Sequence, residues 1–309
     1  VLRTLGDMPT LFAPAKLNVT LEVLARRDDG YHTLRSLMLP VALYDRIDLV
    51  LDGPPRFRAS DPALHDGNLI LRALEAAGFG GRFDVTLDKR IPVGGGLGGG
   101  SSDAAAILRA AMNGDFGEAQ PRDWVAAASG LGSDVPFFLA GTGALVEGTG
   151  ERVTPVGALP DWWAVVVRPR VSVPTAAAYR LLDEARAARG GPPSRPRGTS
   201  ASLEAVDALQ RRDFAALEAA LTNDFHDIIF DAYPEVARAG RALAAATLAE
   251  ANADATRRRV LLSGSGSCLF ALFEREAQAR GTAAILEGAG SGDIDAVFAV
   301  PFHHDSAWR

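Results

Sequence analysis

The sequence predicts a protein of mixed strands and helices in two parts, divided near Pro155. Three observations carry that reading. A strand-like alternation at residues 83–89 runs into a glycine-rich turn at 92–106 and then into an alanine-rich helix at 103–111. Short β-branched or alternating runs recur on both sides of Pro155, among them WWAVVV at 162–167. The second part interleaves such runs with helical stretches. A chain of 309 residues, 48% hydrophobic and 23% charged, is enough for one large or two medium domains with cores of their own.

In chain order, residues 1–10 read as a loose tail and 11–24 alternate as a strand or hairpin arm. Lys16 lies within that apolar run, where a lysine ordinarily snorkels at an edge. RRDDG at 26–30 is a turn by its Asp-Gly ending. Tyr31 and His32 follow it, a pair able to stack on and hydrogen-bond a planar ligand, or simply a strand-start aromatic and a surface histidine. Residues 37–51 read as a strand pair broken at Tyr44-Asp45, and 54–66 as loop. A helix at 68–77 ends at Gly78, with Asn68 at its N-cap.

The central stretch is PVGGGLGGGSSDAAA, in which two runs of three glycines flank Leu97. Glycine lets the backbone approach phosphate oxygens and take positive φ. The first N–H groups of a helix have no internal partner, and the helix dipole adds partial positive charge there. Ser101, Ser102 and Asp103 occupy N-cap-like positions. The stretch therefore reads as a phosphate-binding loop. It is not a Walker A loop, because Gly100 is followed by Ser101 and not by Lys. Nor does it follow the dinucleotide-binding spacing, and no acidic residue ends a second strand at the expected distance.

Beyond it the sequence predicts a helix at 121–129 and strands at 142–147 and 152–155. Asp134, just before an apolar run, reads on its own as a helix N-cap or as a functional carboxylate. Helices are expected at 174–186, 202–209, 213–221, 234–249 and 275–286. Strands are expected at 162–167, 258–262, 268–273 and 294–301. Gly264 to Ser267 form a second glycine turn, and the Pro/Gly/Arg-rich 189–199 reads as a mobile loop.

Net charge is −6 and the pI about 5.5. That balance speaks against nucleic acid as the main partner, since a phosphate backbone calls for a basic face. One cysteine, Cys268, excludes an internal disulfide framework and a cysteine-based zinc cluster, and it reads as a small buried packing residue. With no signal-peptide pattern and no apolar run near the ~18 residues of a membrane span, the expectation is a cytoplasmic protein with no membrane partner.

Four stretches in this order carry more than any one alone: Ala13 to Asn18 (APAKLN), the glycine loop, Gly132 to Phe138 (GSDVPFF) and Leu262 to Ser267 (LSGSGS). Together they resemble the GHMP kinases. RDDGYHTL at 27–34 and VEGTGE at 146–151 make the chain most similar, within that superfamily, to the family of 4-diphosphocytidyl-2-C-methyl-D-erythritol kinases. The resemblance runs from about residue 12 to residue 301 and is weakest at 184–199, where this chain carries an extra polar loop.

The resemblance implies an α+β, two-lobed GHMP kinase fold. Its N-terminal domain, 1–155, would hold the phosphate loop; its C-terminal domain, 156–309, would be ferredoxin-like; nucleotide and substrate would lie in the cleft between them. It implies transfer of the ATP γ-phosphate to the C2 hydroxyl of the methylerythritol unit, in non-mevalonate isoprenoid biosynthesis. Asp134 would accept or orient the hydroxyl proton, and Lys16 would keep Asp134 ionised and counter charge on the moving phosphoryl group. Pro92, Gly94, Gly95, Gly96, Leu97, Gly98, Gly99, Gly100, Ser101 and Ser102 would hold ATP, with Asn68 and Lys89 at adenine. Tyr31 and Tyr179 would stack on cytosine and His32 would bond its edge; this chain has Tyr179 where a phenylalanine is often found. Asn18 would touch the substrate diphosphate or polyol, and Gly264 and Ser265 would buttress loop and substrate. Mg2+ would arrive with ATP, with Ser101 or Ser102 offering a hydroxyl. The rivals are another GHMP kinase, acting on mevalonate, phosphomevalonate or homoserine, and a non-catalytic nucleotide sensor. Monomer and homodimer both remain open.

Overall fold

The computed structural model describes residues 9–51, 55–61, 64–119, 123–190, 200–250 and 259–303. The expected tail lies almost wholly outside these residues, as do most of the 189–199 loop, the start of the 121–129 helix and the start of the 258–262 strand.

The first sheet is built around one long strand. Strands β1 (Thr10–Asn18) and β2 (Thr20–Arg26) both pair antiparallel with β3 (His32–Leu51), which is 20 residues long. The expected break at Tyr44-Asp45 does not occur. Asp45 is fully buried, yet its carboxylate accepts the N–H groups of Arg90 and Ile91 at 2.6 and 2.8 Å, so the strand carries a charge through the core. The irregularity shows instead as a register shift opposite Pro14/Ala15. The expected loop 54–66 contains a short strand, β4 (Arg56–Ala59), which pairs parallel with β5 (Phe83–Asp88). On the edge of β3 opposite β1 and β2, β5 pairs at residues 46–51 and strand β6 (Ala144–Gly148) at 34–38, with β7 (Arg152–Pro155) beyond β6.

Helices α1 (Leu69–Ala76), α2 (Gly99–Met112), α3 (Trp124–Leu131) and α4 (Val135–Ala140) belong to this part. Alanines 104–106, 110 and 111 of α2 are buried among Ile70, Leu74, Phe137 and Phe138. Small side chains there let α2 pack closely. The helix begins at Gly99, ahead of the expected Asp103. Ser102 N–H already donates to Gly98 O at 2.9 Å, and the N-cap is Gly98 at φ 72°, a left-handed value that suits glycine. Ser101 to Asp103 therefore lie inside the first turn and none of them caps it.

The second sheet is four-stranded and antiparallel, in the order β10 (Leu261–Leu262), β11 (Leu269–Phe273), β8 (Trp163–Pro169), β12 (Ile294–Pro301). Along the chain it runs as strand, helices, two strands, helix, strand. Between β8 and β10 come α5 (Thr175–Ala188), α6 (Ala201–Gln210), α7 (Phe214–Ala220), α8 (His226–Ala232) and α9 (Pro234–Glu250); α10 (Glu276–Ala289) precedes β12. The sequence did not announce α8 or the two-residue strand β9 (Thr222–Asn223), which pairs parallel with β2 in the first sheet.

The two parts share a core. Leu17, Leu39 and Leu97 belong to one buried cluster with Trp162, Phe270 and Phe302. The glycine loop is thus clamped between two sheets, and both rims of the cleft it lines are held by packed elements.

Candidate active site

Three consecutive loop carbonyls are taken by neighbours. Gly95 O accepts from Cys268 N at 3.1 Å, Gly96 O from Ser263 Oγ at 2.9 Å and Leu97 O from Lys16 N at 3.0 Å. Among the described residues, the N–H groups of Gly94 to Gly98 donate to nothing. The loop therefore presents donors to a cavity of about 440 Å3, the arrangement an anion requires. Pro92 and Gly94 through Ser101 line that cavity. A Cβ at Gly96 would collide with Ser263 O, so the close approach of the second sheet depends on that glycine. Gly264 and Ser265 line the same cavity from the second sheet's side.

Lys16 and Asp134 come together from β1 and from the turn before α4. Their Nζ and Oδ2 atoms are 3.7 Å apart, with the Lys16 side chain buried and that of Asp134 28% exposed. Asp134 sits at the N-cap position of α4 but makes no capping hydrogen bond, which leaves its carboxylate for the lysine and the cavity. Burial pushes the Lys16 ammonium below the usual lysine range, and Asp134 works against that shift. Asn18 lines the cavity, but its amide is already committed. Its Oδ1 accepts from Lys16 Nζ, and its Nδ2 donates to Ser36 Oγ at 2.8 Å. Its visible work is to aim Lys16.

Lys89 is not the solvated strand end that its position would suggest. Its Nζ lies 2.5 Å from Asp45 and 2.6 Å from Asp103, beneath the first turn of α2. Burial alone would lower this ammonium, but Asp103 and Asp45 outweigh it and raise it. Burial pushes the Asp103 carboxyl up to about 7, against the pull of Lys89. Asn68 is an N-cap: its Oδ1 accepts from Ile70 N at 2.9 Å and its Nδ2 donates to Leu64 O at 2.8 Å. Both residues line the nucleotide-sized cavity with their side-chain polar atoms engaged in the fold. Ser102 does not reach the cavity; it is fully buried in α2, with no partner for its Oγ among the described residues. Ser101, one residue earlier, does.

A second cavity, of about 1080 Å3, opens beside the first and is lined by Tyr31 and His32. The two cavities share Leu34, Ser133, Thr175 and Tyr179, so they meet next to Asp134. Tyr31 is 69% exposed, its ring free to receive a planar group. His32 is held by Asp183, whose Oδ1 is 2.8 Å from Nε2. The Tyr179 ring stacks on the His32 ring at 4.7 Å and 25°, and Phe225 braces it edge-on at 4.9 Å. One face of Tyr179 thus supports the histidine. Burial, with Asp134 adding to it, pushes the Tyr179 phenol up to about 12.

The GHMP kinases N terminal domain family matches residues 68–142, the segment from α1 through α4. A 4-diphosphocytidyl-2-C-methyl-D-erythritol kinase from Solidesulfovibrio magneticus is 41% identical over 90% of this chain and 92% of its own length. The chain belongs to the 4-diphosphocytidyl-2-C-methyl-D-erythritol kinase family. A relative of the same name from Deinococcus radiodurans is 39% identical over 89% of this chain and 87% of its own. A crystal structure of a 4-(cytidine 5'-diphospho)-2C-methyl-D-erythritol kinase superposes with a TM-score of 0.73 at 36% identity, covering 95% of this chain and 99% of the other. The homoserine kinase from Cytophaga hutchinsonii, at 18% identity and a TM-score of 0.65, shares the fold.

For a member of this kinase family, four residues at the site were given no functional part by sequence reasoning. Asp45 and Asp103 flank Lys89, Asp183 holds His32, and Ser36 holds Asn18. Asp103 was read only as an N-cap, and two others left a trace in the sequence. Asp45 is a carboxylate inside an apolar run, and Asp183 lies one helical turn after Tyr179 on α5, where it shares a face with it. Ser36 left none.

Proposed function

We propose that the protein transfers the γ-phosphoryl group of ATP to the C2 hydroxyl of 4-diphosphocytidyl-2-C-methyl-D-erythritol, giving the 2-phosphate and ADP. The observation that carries this reading is the junction of the two cavities at Ser133, Thr175 and Tyr179, beside the Lys16–Asp134 pair. A nucleotide in the smaller cavity and a cytidyl substrate in the larger would bring phosphoryl donor and acceptor hydroxyl to that pair.

The chemistry asks for positioning and charge stabilisation. The unpaired N–H groups of Gly94 to Gly98 and the start of α2 hold the phosphates. The substrate hydroxyl oxygen bonds to the γ-phosphorus as the bond to the β–γ bridging oxygen breaks. The hydroxyl proton passes to Asp134, and ADP leaves. Lys16 offsets the charge spread over the moving group. Mg2+ would enter on the ATP phosphates, with Ser101, which lines the cavity, offering a hydroxyl. Tyr31 stacks on the cytosine and His32 bonds its edge.

The test is ADP release with Mg-ATP and the cytidyl substrate, beside mevalonate and homoserine. Turnover with the cytidyl substrate alone is expected. Turnover with a control instead would discard the cytosine pocket, and ATP binding without turnover of any would discard the kinase reading.

A further inference from the structure

His32 is more constrained than a base-contacting histidine needs to be. Its ring is fixed in plane by the Tyr179 stack at 4.7 Å, and Tyr179 is itself held by Phe225. Its Nε2 is 2.8 Å from Asp183 Oδ1, and the other carboxylate oxygen, Oδ2, lies 3.7 Å from Arg26 Nε. An ionised carboxylate only accepts hydrogen bonds, so Nε2 must carry the proton; the other tautomer would set two lone pairs against each other. In the neutral ring Nδ1 is then an acceptor. Among the described residues Nδ1 has no hydrogen-bond partner, and it is not a sealed, orphaned atom either. Both His32 and Asp183 line the larger cavity.

We propose that Asp183 is a specificity-setting positioning residue: by taking the Nε2 proton of His32 it leaves Nδ1 as an acceptor, which selects a pyrimidine with a 4-amino group over one with a 4-oxo group. The proposal rests on the reading of this cavity as the cytidyl site. The 4-amino group of cytosine donates a hydrogen bond, whereas the 4-oxo group of uracil only accepts. A uracil ring would set its oxygen against the Nδ1 lone pair, two acceptors with no proton between them. Asp183 sits on α5 and His32 at the start of β3, so the device forms only when the two lobes are assembled.

The experiment measures CDP and UDP binding by calorimetry at about pH 8, where an ordinary imidazole is neutral. The wild type, Asp183→Asn, Asp183→Leu and Asp183→Glu are compared, with melting temperature and the KM for ATP as controls. The wild type should prefer CDP. Asn can present either its oxygen or its NH2 to Nε2 and so admits both tautomers, while Leu imposes neither. Both variants should lose the CDP-over-UDP preference by about tenfold or more, with Glu restoring part of it and the KM for ATP unmoved. A merely structural role would weaken CDP and UDP together and leave their ratio intact; an intact ratio in folded Asn and Leu variants overturns the proposal. Equal or absent binding of CDP and UDP by the wild type would instead overturn the cytidyl reading, and the proposal with it.

Discussion

Lys16 and Lys89 are both buried lysines next to the same loop, and adjacent glycines face them. A Cβ at Gly98 would come within 3.1 Å of Lys16 Cγ, and one at Gly99 within 2.9 Å of Lys89 Nζ. Lys89 has two carboxylates in contact, is raised, and lies beneath the helix start. Lys16 has one carboxylate at 3.7 Å and is lowered by burial, although both lysines line the cavity. A buried ammonium with its charge fully matched is part of the scaffold. One left short of countercharge is poised to take more, and a phosphoryl group in transfer brings it.

The largest effect expected from this contrast is at the pair that faces the cavity. Asp134→Ala should lower kcat by about 10²–10⁴-fold, with ATP binding retained in an equilibrium assay. Near-normal turnover would remove Asp134 from the mechanism. The two lysines should then separate by what they break. Lys89→Met leaves Asp45 and Asp103 buried without a cation and should cost about 3–5 kcal/mol of unfolding free energy in denaturant titrations. Lys16→Met relieves a burial penalty but leaves the buried Asn18 Oδ1 without its donor, so it should cost only about 1 kcal/mol of stability while abolishing most turnover. If both variants lost stability equally, the division between scaffold and reagent would fail.

A smaller effect lies in the second cavity. Tyr31→Ala should raise the KM for the cytidyl substrate by about tenfold, the scale of one lost base stack, and leave the KM for ATP almost unaltered. Parallel rises in both constants would point to a loosened lobe. The smallest effect belongs to the buried triad of Lys89, Asp45 and Asp103. Asp103 is raised to about 7 from an ordinary carboxylate value, so the folded state binds its proton more tightly than the unfolded chain. The stability it contributes is complete below about pH 4 and is lost as pH rises through about 7. Melting temperatures of the wild type should carry this fall between about pH 5 and about pH 8, and Asp103→Asn should flatten it. A fall that persists in the variant would assign it to another group.

The glycine loop and the helix it feeds were legible because each is local; Lys16 and Asp134 were singled out as a pair only by the resemblance to the GHMP kinases. Glycine runs and an alanine-rich stretch bias the backbone whatever surrounds them. Other features were misread for a physical reason that is not local. Asp45 looked like a break in a strand because a carboxylate in an apolar run is costly until partners arrive from residues 89–91. The helix start was placed late because Ser and Asp favour N-caps, whereas here Gly98 takes that position and Asp103 turns inward to Lys89. Asn68 shows the reverse: the local reading as an N-cap is what the fold uses.

By itself, then, the sequence determined the alternation of strands and helices and the phosphate loop, which rest on backbone bias and short spacing, and it carried the motifs that mark the family by resemblance. Only the tertiary structure decided which lysine has its charge matched and which is left short of countercharge, that Asn18 aims Lys16, and that Asp183 holds His32 across 151 residues of chain. Those outcomes depend on burial and on partners distant in sequence, and a side chain's charge state and hydrogen-bonding role are set by what the fold brings against it.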